Sequence, residues 1–162
     1  MGTRINAEAD FAAAPSQVFA LMTDPELLLQ VASESDSVES SVSVIPGDRE
    51  VVIAFNRAFE EDWPSLVAAF IGKRLNLSEN RRWQELSTGF QGTFTLQAVG
   101  LPITMDSTVE LVPTANGCHF ELAGEIKSSV PLIGGSVESL AKAQLLDGIA
   151  HETEVISRAL NS

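Results

Sequence analysis

Hydrophobic residues recur along this chain at two different spacings, and the changes between them mark out the elements. Residues 3–13 alternate in part, with Ile5, Ala7, Ala9 and Phe11 set against Arg4, Asn6, Glu8 and Asp10. That is the pattern of a half-buried strand. The spacing then turns helical. Pro15 stands where a first helical turn tolerates it, and Val18, Phe19 and Met22 make a short amphipathic helix. Asp24-Pro25-Glu26 starts a second one, with Asp24 as N-cap, Pro25 at the first helical position and Glu26 in the first turn. Leu27, Leu28, Val31 and Ala32 supply its buried face.

From Ser37 to Ser128 the period is two. Val38–Ile45 and Glu50–Phe59 flank the turn Pro46-Gly47-Asp48. Lys73–Leu86 alternates across Leu75, Leu77, Glu79, Arg81 and Trp83, and Thr88–Val99 sets Phe90, Gly92, Phe94, Leu96 and Ala98 against polar neighbours. Gly100-Leu101-Pro102 turns the chain into a strand marked by Ile103, Met105, Ser107, Val109 and Leu111. Residues 113–117 turn it again into one marked by Phe120, Leu122, Gly124 and Ile126. Long strands joined by short turns predict an antiparallel meander. One stretch interrupts it: Trp63-Pro64 opens a short apolar helical segment, Ser65–Ile71, which reads equally as a lid or as a plain core-covering turn.

The final stretch organises the rest. Gly134-Gly135 breaks the preceding segment, Ser136 is placed to cap a new helix, and no proline follows. This predicts a helix over Ser136–Leu160, about 25 residues and roughly 37 Å long. Val137, Ala141, Leu145, Gly148, Glu152, Val155, Ile156 and Ala159 fall on one face. The middle of that stripe is small, at Ala141 and Gly148, so the helix is expected to leave a cavity between itself and the sheet.

Composition narrows the functional classes. At 162 residues and 17.3 kDa the expectation is one domain, 1–162, with a substantial core. Net charge is −12, from 22 acidic and 10 basic residues, a field that repels nucleic acid and anionic bilayers. The one cysteine, Cys118, excludes an internal disulfide and fits a reducing compartment. The first ten residues lack the apolar core of a signal peptide, and no apolar run approaches a membrane span. The expected setting is cytoplasmic, without nucleic acid or integral membrane association. The sequence sets no oligomeric state.

Strand, two short helices, six further antiparallel strands and a long C-terminal helix: this order resembles the helix-grip fold of the START, pollen-allergen and polyketide-cyclase superfamily. Val130-Pro131-Leu132-Ile133-Gly134-Gly135-Ser136-Val137-Glu138, with Trp83, Gly100-Leu101-Pro102 and Pro113, is similar to an uncharacterised bacterial branch of it. The resemblance implies an α+β fold in which a seven-stranded curved antiparallel sheet grips the last helix around an apolar cavity. It implies no reaction, because members include carriers, receptors, cyclases and co-chaperones, and fold does not settle function.

Candidate chemistry is sparse. Glu152 lies inside the apolar stripe of the long helix, where an unpartnered carboxylate is expensive to bury. It could orient a ligand or act as an acid–base group; the expected arrangement is the plainer one, at the cavity mouth with its head in water. Asp147 and His151, four apart on a helix, are expected to form a solvent-side ion pair, which leaves His151 a weak catalytic candidate beside Glu152. Cys118 and His119 are adjacent on a strand and point to opposite faces, so they form no nucleophile–base dyad. Two histidines and one cysteine, unclustered, argue against a zinc site. No cofactor motif occurs: Gly134-Gly135 alone is better read as a helix entry than as a phosphate loop.

The expected occupant is therefore a small hydrophobic molecule. The candidate ligand-binding residues are Phe55, Trp63, Phe70, Trp83, Phe94, Leu96, Met105, Phe120, Ala141, Leu145, Gly148 and Glu152. Two alternatives stand beside a carrier or sensor. One is a cyclase- or dehydratase-type enzyme acting in the same cavity, and the other is a protein-interaction module with an exposed apolar patch.

Overall fold

The computed structural model describes residues 2–162. The elements follow in the order β1 (Gly2–Phe11), α1 (Pro15–Met22), α2 (Pro25–Glu34), β2 (Ser37–Pro46), β3 (Glu50–Glu60), α3 (Ser65–Ile71), β4 (Arg74–Glu85), β5 (Phe90–Ala98), β6 (Ile103–Thr114), β7 (Gly117–Ser128) and α4 (Gly134–Leu160). The strands form one antiparallel sheet in the order β1-β7-β6-β5-β4-β3-β2. The meander predicted from residue 37 onward is thus continuous, and β1 is added at its far edge against β7.

Register turns the period-two pattern into rungs. One rung runs Phe55, Glu79, Leu96, Met105, Ile126 and Thr3, and the next runs Ile53, Arg81, Phe94, Ser107, Gly124 and Ile5. All these side chains share the inner face, because side chains at every second position point the same way. The sheet curves around that face. At Gly92 and Gly124 an added Cβ would lie 2.1 and 2.3 Å from the carbonyl oxygens of Arg82 and Asp106 on the adjacent strands, so a side chain at either position would push the strands apart.

The core fills the curve at one end. Ile5, Val18, Leu28, Ile53, Trp83, Leu111, Leu122 and Ile156 are fully buried there. Asp24 caps α2 as expected, its carboxylate accepting from the Glu26 N–H at 2.9 Å. At the other end a smaller cluster joins Val67 of α3 to Ala98, Ile103, Val130 and Val137.

α4 differs from expectation at its start. The chain reverses at Leu132, whose φ of 70° is left-handed, and the helix begins directly at Gly134 with Ile133 as its N-cap. No side chain caps it, so Ser136 lies inside the helix and does not have the capping role its type suggested. A different side chain secures this end. Glu138 accepts from the Thr3 hydroxyl of β1 at 2.7 Å and from the Ser128 N–H at the end of β7 at 2.9 Å. α4 then packs closely on β1 and β7, at one edge of the sheet, and on α1 and α2.

Candidate functional site

Because α4 rests on one side of the curved sheet, a gap opens between it and β3, β4 and β5. That gap is a cavity of about 360 Å³. Its sheet wall comes from the inward phase of four strands: Leu75 and Leu77, Phe94 and Leu96, Ile103 and Met105, Phe120 and Leu122. Its helix wall comes from Leu140, Ala141, Leu145, Gly148 and Ile149. The short side chains matter here. A Cβ built on Gly148 would meet nothing within 4 Å, so the helix faces open space at this point. Trp63, just before α3, and Ile71, its last residue, also line the cavity.

The cavity wall carries four charges that the fold has removed from water. Arg81 of β4 is 4% exposed and lies at the centre. Its Nη1 and Nη2 donate to Oε2 and Oε1 of Glu152, both at 2.8 Å, and its Nε donates to Glu79 Oε2 at 2.8 Å. Arg57 of β3 donates through Nη2 to Glu79 Oε1 at 2.7 Å. The guanidinium carbon of Arg81 stands 4.5 Å from the Phe94 ring centre, and that of Arg57 stands 4.3 Å from the Phe55 ring centre. Flat aromatic faces attract such cations.

Two arginines and two glutamates make the cluster neutral, and the carboxylate oxygens of Glu79 and Glu152 all accept hydrogen bonds. For Glu79, burial alone would raise the pKa. The charges of Arg81 and Arg57, with their hydrogen bonds, outweigh it and hold the carboxyl below its ordinary range. For Arg81, burial would favour the neutral form, but Glu152 and Glu79 overcome this and raise its pKa above the ordinary value. Glu79 and Arg81 are therefore held in their charged forms, and the bonds from Arg81 to Glu152 tie α4 to a strand on which the helix does not otherwise rest.

Several expectations are corrected here. Glu152 does not hold its head in water: its side chain is 12% exposed and both oxygens bind Arg81. His151 does not pair with Asp147. It turns toward α2, where its Nε2 lies 3.6 Å from Glu34 Oε1, and Arg158 also reaches that carboxylate at 2.6 Å. Asp147 is left exposed at the edge of the cavity wall.

Of the residues expected to line a pocket, Trp63, Phe94, Leu96, Met105, Phe120, Ala141, Leu145, Gly148 and Glu152 stand on the cavity wall, as does His151. Phe55, Phe70 and Trp83 do not. Trp83 is fully buried in the packed end of the core, edge-on to Phe19 at 5.7 Å and to Phe94 at 5.5 Å. Phe55 is also fully buried, beneath the two guanidiniums. Phe70 is 47% exposed because the seven-residue α3 turns Val67, not Phe70, into the core. Arg57, Glu79 and Arg81 were not among the expected site residues. Their signal was present, since charges at 79 and 81 fall on the inward phase of β4 between Leu77 and Trp83.

Cys118 and His119 do point to opposite faces. Cys118 is buried, and His119 sits on the outer face with Nδ1 2.8 Å from Asp10. That hydrogen bond, more than burial, sets the pKa of His119 and raises it above its ordinary value. Glu8, His119 and Glu121 bring metal-ligand atom types within 4.8 Å of one another on this face. They lie across the sheet from the cavity and take no part in it.

Curved sheet, gripped helix and cavity place the molecule in the helix-grip class. Solved structures agree. TTHA0849 from Thermus thermophilus matches with a TM-score of 0.64 at 16% identity, covering 96% of this chain and 95% of that one. Truncated norcoclaurine synthase from Thalictrum flavum matches with a TM-score of 0.61 at 15% identity, over 99% and 94% of the two chains. At such identities the likeness establishes the fold alone. No curated protein matches the sequence. The chain belongs to the family described as "Protein of unknown function (DUF2505)", which it matches over residues 6–160.

Proposed function

We propose that this protein binds a small hydrophobic molecule, as a carrier or sensor, in the cavity between the sheet and α4. The observation that carries the reading is the open space beneath Gly148, within a 360 Å³ cavity walled mainly by leucine, isoleucine, methionine and phenylalanine. A helix glycine costs about 1 kcal/mol relative to alanine, so a long helix that keeps one over empty space forgoes stability to keep volume. Apolar cavities of this size suit small lipids and polyketide-like metabolites, which they discriminate mainly by shape.

The enzyme reading has less support. It needs an acid–base group free to move a proton toward a bound substrate. Glu152 is engaged by Arg81 through both oxygens, and His151 faces Glu34. The likeness to norcoclaurine synthase does not alter this, since the two chains share 15% of their residues.

The test is direct. Small molecules released from freshly purified protein are identified by mass spectrometry, and a panel of fatty acids, sterols, flavonoids and aromatic polyketides is screened by thermal shift. A ligand at a hundredfold excess over Kd adds about 2.7 kcal/mol to the folded state, which raises Tm by several degrees. Co-purified molecules or such shifts are the expected result. Their absence from both measurements would remove the reading.

A further inference from the structure

The charged cluster on the cavity wall is complete for its acceptors and incomplete for its donors. Every carboxylate oxygen of Glu79 and Glu152 receives a hydrogen bond. Arg57, by contrast, uses only Nη2. Its Nε is buried with no acceptor. The indole N–H of Trp63, on the same cavity wall, is also buried without an acceptor. Buried donors left unpaired are costly and uncommon.

Charge decides what kind of acceptor would match them. The cluster already balances two guanidiniums against two carboxylates. Asp36, Glu61 and Asp147 also line the cavity, and among the described residues no further arginine or lysine stands on its wall to balance them. A ligand carboxylate or phosphate would add negative charge to a wall that already carries more carboxylates than guanidiniums, inside a chain whose overall charge is −12. A neutral oxygen accepts the same hydrogen bonds without that penalty. We infer that the cavity takes an apolar molecule bearing an uncharged carbonyl oxygen, a ketone, ester, lactone or quinone, which accepts from Arg57 with Trp63 as the second donor. This inference rests on the proposed binding function and narrows its ligand class. Phe55 holds the Arg57 guanidinium flat from behind, and Glu79 holds one end of it, so its free edge is presented in a fixed direction.

Three probes with one aromatic skeleton separate the possibilities: fluorenone, fluorene and fluorene carboxylate, each titrated calorimetrically into the whole protein. Fluorenone should bind about tenfold more tightly than fluorene, the worth of one hydrogen bond from a charged donor, and the carboxylate no more tightly than fluorene. Arg57→Met should shrink the preference for fluorenone over fluorene to the part that Trp63 supplies. The carbonyl stretching frequency of bound fluorenone should be lower in the parent than in that variant, a difference that loss of packing alone does not produce. Should Arg57→Met fail to fold, Trp63→Phe keeps an aromatic ring, removes the N–H, and should narrow the preference for fluorenone. Equal binding of fluorene and fluorenone would overturn this inference and leave the cavity reading intact. Tighter binding of the carboxylate would replace it with anion recognition. Binding of none of the three would overturn this inference, and the cavity reading would then rest on the released molecules and the thermal-shift panel.

Discussion

Glu152 of α4 and Arg81 of β4 meet through two parallel hydrogen bonds of 2.8 Å across the cavity, joining a helix to a strand on which it does not otherwise rest. Buried pairs of this kind contribute little over a well-packed apolar pair, yet breaking one half is severe because the other charge is left uncompensated. Arg81→Met should therefore cost about 3–5 kcal/mol in urea unfolding. Glu152→Gln should cost less, since Arg81 keeps Glu79. The double variant Arg81→Met/Glu152→Gln should be more stable than the sum of the two singles. Strict additivity would mean the pair is not coupled in solution.

Gly148 separates space from stability. Gly148→Ala should stabilise by about 1 kcal/mol, because its Cβ meets nothing and helix propensity improves. Gly148→Leu should leave the circular dichroism spectrum unchanged while weakening every ligand found in the thermal-shift panel. A leucine variant that binds as well as the parent would show that this part of the helix does not bound the occupied volume.

Glu138 makes the helix start sensitive to acid. Hydrogen bonds from the Thr3 hydroxyl and, against the opposing effect of burial, from the Ser128 N–H hold its carboxyl below the ordinary value of 4.5. A folded-state pKa below the unfolded one stabilises the protein above the unfolded value, and that contribution is lost as pH falls through the folded one. In Glu138→Gln the stability difference from the parent should be largest above pH 4.5 and should shrink below it. A difference that stays constant across that range would mean the charge itself is not what clasps the helix.

The aromatic residues divide sharply. Phe94→Ala, on the cavity wall and against both Trp83 and Arg81, should lower stability by about 3–5 kcal/mol and reduce ligand binding. Phe70→Ser should change stability by no more than about 0.5 kcal/mol and leave binding intact, because the ring faces solvent. Loss of binding in the Phe70 variant would show that α3 closes further over the cavity than it does here.

These contrasts mark what the sequence could carry. Alternation placed Phe94, Leu96, Met105 and Phe120 on one face because strand geometry leaves only two faces to choose between. The small residues Ala141 and Gly148 pointed to space under the helix for an equally local reason. Phe70 was not legible: a seven-residue helix has too few turns for a periodic stripe, and its rotation is set by where Val67 finds partners in β5, β6 and α4. The same inward phase that revealed Phe94 also held Glu79 and Arg81, but a charge in an apolar row identifies no partner. Glu152 lies 71 residues from Arg81, and only the curve of the sheet brings them together.

The topology bears on how the molecule comes into being. The first strand of the chain pairs with the seventh, and Thr3 of β1 binds Glu138, 135 residues away. Strands two to six can zip in order as they are made, each against the one before, but β1 must wait without a partner until β7 exists. The apolar inner face likewise stays uncovered until α4 is complete. Pairings this distant in sequence are slow, and an unpaired edge beside an uncovered apolar face is open to association with other chains. Synthesis of this protein thus leaves its most vulnerable surfaces to be closed last, by its last two elements.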